Sequence, residues 1–285
     1  MALTAPLTPE NHDRDSAEMT YVYPVVSRRA GGVSVGVNLN PNHACNWACV
    51  YCQVPNLVRG TAPDIDLVQL EAELRTMLTD ILHGDFMQTR VPEAVRRLND
   101  IALSGNGEPT SAKVFPQVID LIGRIMSDFD LVGTIKLVLI TNGSLIDRPR
   151  VQAGLAKMAA LNGEVWFKLD SATAGGMRAL NQTRIAPGKQ FERLAVAAHL
   201  CPTWLQTCVL AVDGLPPSQT EQDAYLDLIR RLRQQQVPVR GVLLYGLARP
   251  SMQPQASRLS ALPTEWLDAY ADRIRAAGLA VKVSP

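Results

Sequence analysis

Short apolar runs of strand length alternate with amphipathic helical segments along most of this chain. Parallel strands need crossover connections, and a helix is the usual one. The alternation predicts an α/β fold in which helices wrap a parallel sheet, either an open doubly wound sheet or a partial (βα)6 TIM-like barrel. The predicted strands cover 33–40, 100–104, 136–141, 165–170, 204–212, 240–245 and 279–283. The first predicted helix runs from 67 to Gly84, and the second ends at about 126. Further helices are predicted near 149–161 and 190–199, from 220 onward, and over 264–277.

Two of these segments carry especially clear local signals. Asp66 begins a capping box, and apolar residues recur at helical spacing at 67, 70, 74, 77, 78 and 81. The segment Lys136–Thr141 is almost continuously apolar, which is typical of a parallel strand that is covered on both faces. We therefore expect one buried face on the first helix and burial of both faces of the second segment.

The composition limits the possible classes of function. The chain has 285 residues, of which 28 are basic and 27 acidic, so the net charge of +1 argues against a general polyanion binder. Residues 1–20 are polar and contain proline, and predict a flexible arm, whereas no low-complexity linker divides 21–285, which predicts one domain. Neither a signal peptide nor a run of ~20 apolar residues is present, so we expect a cytoplasmic protein without membrane association.

Three of the five cysteines, Cys45, Cys49 and Cys52, fall within eight residues. This spacing is unsuited to disulfides between distant segments, and predicts a reducing compartment and a loop that binds zinc or an iron–sulfur cluster. Zinc sites usually combine two ligand pairs, and no second pair is positioned here, even if His43 is counted as a fourth ligand. The remaining cysteines, Cys201 and Cys208, are predicted to be buried free thiols, with a role in an auxiliary cluster left open.

Polar and glycine residues follow several of the predicted strands. They include the segments 105–109, 141–143 and 245–250, with Lys168, Asp170 and Ser171 at the end of the fourth predicted strand. In barrels of this kind the chemistry is carried by the carboxyl ends of the strands. The cysteine loop also follows a strand, so we expect all of these residues to lie around one site.

The cysteine loop resembles that of the radical S-adenosylmethionine (SAM) enzymes, which have this spacing and an aromatic residue, here Tyr51, before the last cysteine. The segment Ser104–Thr110 resembles the glycine-rich motif of that superfamily. The segments 24–29 and 241–250 resemble an iron–sulfur oxidoreductase branch of undetermined substrate, which is distantly similar to the wybutosine-synthesis enzymes. The resemblance covers roughly residues 21–285.

The resemblance implies a partial barrel that binds a [4Fe–4S] cluster and SAM. Cys45, Cys49 and Cys52 would hold three irons, leaving the fourth iron for SAM. The cluster would then cleave SAM reductively to a 5′-deoxyadenosyl radical that abstracts hydrogen from a substrate. The electron donor would be a flavodoxin or a ferredoxin, and the substrate a small molecule, a protein or a tRNA. Wybutosine-type relatives can bind a second cluster through upstream cysteines, but no cysteine precedes Cys45 here, so that chemistry is not expected.

The resemblance also implies roles for residues around the cluster. The backbone of Tyr51 would lie beside the adenine, and Glu108 with the backbone of Gly105 and Gly107 would hold the methionine amino group. A close approach of backbone to ligand favours glycine, because glycine has no Cβ. Glu108 could alternatively lie in a solvated turn.

Five other residues are candidates for ligand contacts. Asn142 is either a turn residue or a ligand contact. Lys168 and Asp170 alternate along one face of a predicted strand, which suggests that Lys168 pairs with a carboxylate and that Asp170 or Ser171 meets the ribose of SAM. Arg249 would hold a carboxylate or a phosphate. The alternative to an enzyme is a zinc-stabilised module that binds RNA or another partner.

Overall fold

A sheet of eight strands organises the structure, a computed structural model that describes residue 7 and residues 18–27 and 31–284. The strands lie side by side in sequence order, and only the first pair is antiparallel. Most of the expected arm and the pair Arg28-Arg29 lie outside the described residues. The strands are β1 Val22–Ser27, β2 Gly32–Val37, β3 Leu98–Leu103, β4 Lys136–Thr141, β5 Gly163–Lys168, β6 Thr203–Cys208, β7 Val239–Tyr245 and β8 Val281–Ser284.

Helices connect the parallel strands. They are α1 Leu67–His83, α2 Phe86–Arg90, α3 Phe115–Asp128, α4 Pro149–Ala160, α5 Ala174–Asn181, α6 Pro187–Leu200, α7 Gln219–Gln234 and α8 Thr264–Ala277. Short 3₁₀ turns occur at Glu93–Val95, Pro109–Ser111 and Ala256–Arg258. Two-residue strand pairs join Ala44–Cys45 to Val58–Arg59 and Ala211–Val212 to Leu259–Ser260.

The order of the strands decides between the two expected architectures. A doubly wound sheet reverses its strand order at a switch point, whereas here the order runs without reversal from β1 to β8. One face of the sheet packs on the helices through residues such as Leu139 and Phe167, and the other encloses a smaller apolar cluster that includes Val138 and Trp166. The prediction of a partial barrel is therefore confirmed.

The strongest local signals are confirmed. The side chain of Asp66 accepts hydrogen bonds from the amides of Val68 and Gln69 and caps α1, and Gly84 follows the helix. The apolar positions 70, 74, 77, 78 and 81 are buried, as their helical spacing predicted. No helix in the described part of the chain is long and apolar enough to cross a membrane.

Three local features differ from the expectations. Strand β1, which pairs antiparallel with β2, was not predicted. Helix α5 was not predicted either. Its first turn contains two glycines, which are poor helix formers, and the side chain of Thr173 caps the helix. Finally, β5 ends at Lys168 rather than at residue 170, and the predicted strand 204–212 divides into β6 and the short segment Ala211–Val212.

Candidate active site at the carboxyl ends of the strands

A cavity of about 270 Å³ opens among the loops that follow the parallel strands. The structure brings most of the predicted site residues to its wall, namely Cys45, Cys49, Tyr51, Cys52, Gly105, Gly107, Glu108, Asn142, Lys168 and Arg249. Asp170 and Ser171 are not part of that wall. The carboxyl ends of the parallel strands thus collect residues that are distant in the sequence.

The cysteine loop follows β2 and packs against the carboxyl end of α5. The amide of Val50 donates to the carbonyl of Leu180 at 2.8 Å, and the amide of Ala48 donates to the carbonyl of Asn181 at 3.4 Å. The side-chain amide of Asn181 also donates to the sulfur of Cys49 at 3.4 Å. Helix α5 therefore supports both the backbone and one thiol of the loop.

The loop after β7 holds the other end of the cysteine loop. The carbonyl of Cys52 accepts hydrogen bonds from the amide of Met252 at 2.9 Å and from the side chain of Gln253 at 3.2 Å. The hydroxyl of Ser251 donates to the carbonyl of Val50 at 2.7 Å. The position of the third thiol thus depends on residues about 200 positions further along the chain.

Three thiols in one loop are a donor set of the kind that holds an iron–sulfur cluster. Among the described residues, no three Cys, His, Asp or Glu side chains are arranged to hold one metal ion. The ring of His43 is engaged by the carbonyl of Pro55 at 2.9 Å. Zinc requires all ligands within about 2.3 Å of one point, whereas the thiolates of a cubic cluster each bind a different iron. The donor set therefore fits a [4Fe–4S] cluster.

Burial affects the protonation of these ligands. It raises the pKa of the Cys45 thiol to about 12 and that of the Cys49 thiol to about 11, although the charge of Lys168 opposes the shift at Cys49. Thiols bind metals as thiolates, so binding at these positions releases protons. All three cysteines are free and partly exposed.

Glu108 is buried, and both of its carboxylate oxygens accept hydrogen bonds from protein donors. Its Oε1 accepts from the amide of Thr110 at 3.1 Å and from the hydroxyls of Thr110 and Thr141 at 2.5 and 2.7 Å, and its Oε2 accepts from the amide of Asn142 at 2.7 Å. Burial raises the pKa of the carboxyl group, and these hydrogen bonds oppose the shift. Glu108 is therefore not a solvated turn residue, and its carboxylate has a fixed orientation at the cavity wall.

The glycines of the loop after β3 are required by the protein itself. Gly105 has φ +138°, and a Cβ on Gly107 would lie 2.1 Å from the carbonyl oxygen of Ala44 and 2.6 Å from the side chain of Asn40. The amide of Asn106 donates to the side chain of Asn38 at 3.1 Å. Tight packing of this loop against the end of β2 explains why glycine stands at these positions.

Asn142 connects the loop after β4 to the cysteine loop. Its side-chain amide donates to Asn46 Oδ1 at 2.8 Å, and its Oδ1 accepts from the amide of Ser144 at 3.0 Å. Its carbonyl accepts from the side chain of Gln190 at 2.7 Å. Asn142 is thus more than a turn residue, since it orients the segment between the first two cysteines.

Asp170 does not line the cavity, but it holds neighbouring residues in place. Its carboxylate accepts hydrogen bonds from the hydroxyl of Tyr51, from Asn181 Nδ2 at 2.6 Å and from the amide of Cys208 at 2.9 Å. The expectation that Asp170 shares a strand face with Lys168 is wrong, because β5 ends at Lys168. Because its oxygens accept from these donors, the carboxylate stabilises the cysteine loop and does not form part of the cavity surface.

Ser171 also points away from the cavity. Its hydroxyl donates to Glu221 Oε2 at 2.6 Å, and the hydroxyl of Thr173 donates to Glu221 Oε1. Ser171 therefore joins the start of α5 to α7.

Lys168 and Arg249 both line the cavity. Lys168 Nζ donates to the hydroxyl of Tyr245 at 3.0 Å and lies 5.0 Å from the ring centre of Tyr51. None of the ion pairs found in the described part of the chain includes Lys168, so its expected pairing with a carboxylate is not found there. The carbonyl of Arg249 accepts from the side chain of Gln53 at 3.3 Å.

Cys201 and Cys208 flank β6 at opposite ends. A strand rises about 3.3 Å per residue, so the two thiols are roughly 20 Å apart. Cys208 lines the cavity and Cys201 does not. The two cannot contribute to one auxiliary cluster, and Cys201 is a buried free thiol, as predicted.

Comparison with proteins of known sequence gives distant relatives, and no protein-family model matches the chain. A UPF0026 protein of Helicobacter pylori is 30% identical over 149 residues, which are 52% of this chain and 41% of that protein. A UPF0026 protein of Synechocystis is 26% identical over 224 residues, 76% of this chain and 73% of that protein. The chain thus spans well under half the length of the Helicobacter relative.

Comparison with solved structures extends the likeness over most of the chain. A radical SAM methyltransferase from Sphaerobacter thermophilus superposes with a TM-score of 0.59 at 16% identity, over 89% of this chain and 66% of that one. The protein TYW1, solved with a lysine–pyruvate adduct bound, has a TM-score of 0.57 at 13% identity, over 85% of this chain and 73% of that one. At such identities the likeness establishes the fold.

Proposed function

We propose that this chain is a radical SAM enzyme that binds one [4Fe–4S] cluster through Cys45, Cys49 and Cys52. The observation that carries the proposal is the presence of three free thiols at the wall of one cavity, with the carboxylate of Glu108 at the same wall. Three protein ligands leave one coordination position of a four-iron cluster for a substrate, as in other reactive metal sites.

The chemistry that a cluster and SAM supply in such enzymes is reductive cleavage of the sulfonium, which gives methionine and a 5′-deoxyadenosyl radical that removes a hydrogen atom from a substrate. The protein would bind and orient the reactants. Glu108 offers a fixed negative charge for the methionine ammonium group, and Asn142 holds the loop between the first two thiols. Asn181 donates to Cys49, and hydrogen bonds to cluster sulfurs are one determinant of reduction potential.

Anaerobic reconstitution with iron and sulfide tests the cluster directly. We expect a brown protein with about four irons per chain and broad absorbance near ~400 nm. Alanine at any one of Cys45, Cys49 or Cys52 should remove most of the iron, whereas Cys201→Ala, the matched control, should keep it. A colourless protein that retains zinc would instead support the alternative of a zinc-stabilised binding module.

The reaction is tested next by reducing the loaded protein with dithionite in the presence of SAM. Formation of 5′-deoxyadenosine is the expected product, and its absence from a fully loaded protein would refute the proposed activity. Flavodoxin or ferredoxin is proposed as the natural reductant. The substrate is proposed to be a small molecule, with a protein or a tRNA as the alternatives that fractionated cell extract would reveal.

A further inference from the structure

Trp47 stands between the first two of the three cysteines, and the proposed function gives its side chain no role. The residue is 3% exposed and lines the cavity together with Cys45 and Cys49. Its backbone amide donates to the sulfur of Cys45 at 3.5 Å. Trp47 is therefore next to a predicted cluster ligand in space as well as in the sequence.

The indole nitrogen of Trp47 is buried and has no hydrogen-bond partner among the described residues. An indole N–H can only donate, and when it is buried it usually finds an acceptor. Trp166, which is 9% exposed, follows this rule, because its indole nitrogen donates to Glu164 Oε1 at 2.9 Å. The orphaned donor of Trp47 therefore indicates an acceptor that the described part of the chain does not provide.

The residues on either side of Trp47 are held in place. Asn46 accepts from the side chain of Asn142 at 2.8 Å and donates to the hydroxyl of Ser144 at 2.7 Å. The amide of Ala48 donates to the carbonyl of the last residue of α5 at 3.4 Å. Because the backbone is fixed on both sides and the side chain is buried, the indole group is positioned before a ligand arrives. A hydrogen bond from it then requires little further ordering.

We propose that the indole N–H of Trp47 donates a hydrogen bond to a sulfur of the [4Fe–4S] cluster and raises the reduction potential of the cluster. This inference rests on the proposed function, which places the cluster at the three thiols of this loop. Sulfides and thiolates are acceptors, and hydrogen bonds to them are one determinant of the potential. Reduction adds a negative charge to the cluster, so a donor at a sulfur stabilises the reduced form more than the oxidised form.

Replacement of Trp47 by phenylalanine removes the N–H group and keeps an aromatic ring in the loop. On the anaerobically reconstituted full-length protein, a redox titration followed by electron paramagnetic resonance measures the potential of the cluster. Loss of one hydrogen bond in Trp47→Phe should lower the equilibrium constant for reduction about tenfold, which is a fall of about 59 mV for one electron. Trp266→Phe is the matched control, because Trp266 on α8 is half-buried and does not line the cavity; it should leave the potential unchanged.

An isotope label tests the contact itself. Tryptophan labelled with ¹⁵N only at the indole nitrogen distinguishes the side chain from the backbone amide, which donates to Cys45. Pulsed electron paramagnetic resonance of the reduced wild-type cluster should show a coupling to this nitrogen. The coupling should persist in Trp266→Phe and disappear in Trp47→Phe. Because the coupling is sought in the wild-type protein, it decides the question even if Trp47→Phe fails to bind iron.

The outcomes separate the inference from the proposed function. If the wild-type protein assembles no four-iron cluster, the proposed function fails and the inference fails with it. If the cluster assembles but Trp47→Phe leaves the potential unchanged, or the wild-type protein shows no coupling to the indole nitrogen, the inference is overturned while the proposed function stands. A side chain that only packs against the loop would lower the melting temperature or the iron content when replaced, and would not shift the potential.

Discussion

Replacement of Asp170 by asparagine tests whether this residue supports the structure or contacts a ligand. The carboxylate is 9% exposed and accepts hydrogen bonds from Tyr51, Asn181 and the amide of Cys208. An asparagine has nearly the same size, but one of its two terminal groups is a donor. In either orientation of the new side-chain amide, its NH₂ group faces a donor whose hydrogen bond the carboxylate accepts in the wild-type protein.

The magnitude follows from these contacts. A hydrogen bond to a charged group contributes about 1.5–3 kcal/mol, and a buried donor left without a partner costs about 1–3 kcal/mol. Asp170→Asn should therefore lower the free energy of unfolding by about 3–5 kcal/mol. For a chain of this size the melting temperature should fall by roughly 6–15 °C.

Thermal unfolding followed by circular dichroism measures this effect. Asp272→Asn is the matched control, because Asp272 is 75% exposed and pairs with Arg275 one turn away; its melting temperature should change by about 1 °C or less. An Asp170→Asn protein that melts like the wild type but binds SAM weakly in calorimetry would refute a supporting role. That result would favour contact between Asp170 and the ribose of SAM.

Three further predictions concern the neighbouring elements. Gly107→Ala should destabilise the protein by more than about 3 kcal/mol or prevent folding, because its Cβ would lie 2.1 Å from a carbonyl oxygen; Gly188→Ala, with open space around the Cβ, should leave the melting temperature unchanged or raise it. Gln253→Leu removes hydrogen bonds to the carbonyls of Cys52 and Val54, so the loaded protein should lose iron to a chelator severalfold faster, and an unchanged rate would contradict this role. Burial raises the pKa of Cys201 to about 12, so at pH 8 it should have roughly a thousandfold less thiolate than an ordinary cysteine and react slowly with iodoacetamide; rapid labelling in the folded protein would contradict its burial.

Features that depend on near neighbours in the chain were predicted correctly. The apolar spacing between 67 and 81 predicted the buried face of α1, and the capping residue Asp66 predicted where it begins. The alternation of strands and helices led to the parallel sheet, since parallel neighbours must be joined by crossovers. The motif around the three cysteines indicated the side of the barrel on which the cavity lies.

Features that depend on distant partners were missed or misassigned. Asp170 was expected to contact a ligand, because nothing near it in the sequence reveals that its carboxylate meets Tyr51, 119 positions away. Helix α5 was missed because its glycines weaken the local signal, and Asn181, which donates to Cys49, was missed with it. Gln253, which donates to the carbonyl of Cys52, belongs to no recognisable motif.

The sequence alone determined most of the parallel strands and their helices and the buried face of α1, and it predicted the three cysteines as metal ligands. Periodicity and capping act within one element, so they can be recognised without knowing the rest of the fold. Only the tertiary structure decided which side chains line the cavity and which support it. Those roles depend on hydrogen bonds between residues up to 201 positions apart, and such bonds leave no periodic pattern in the chain.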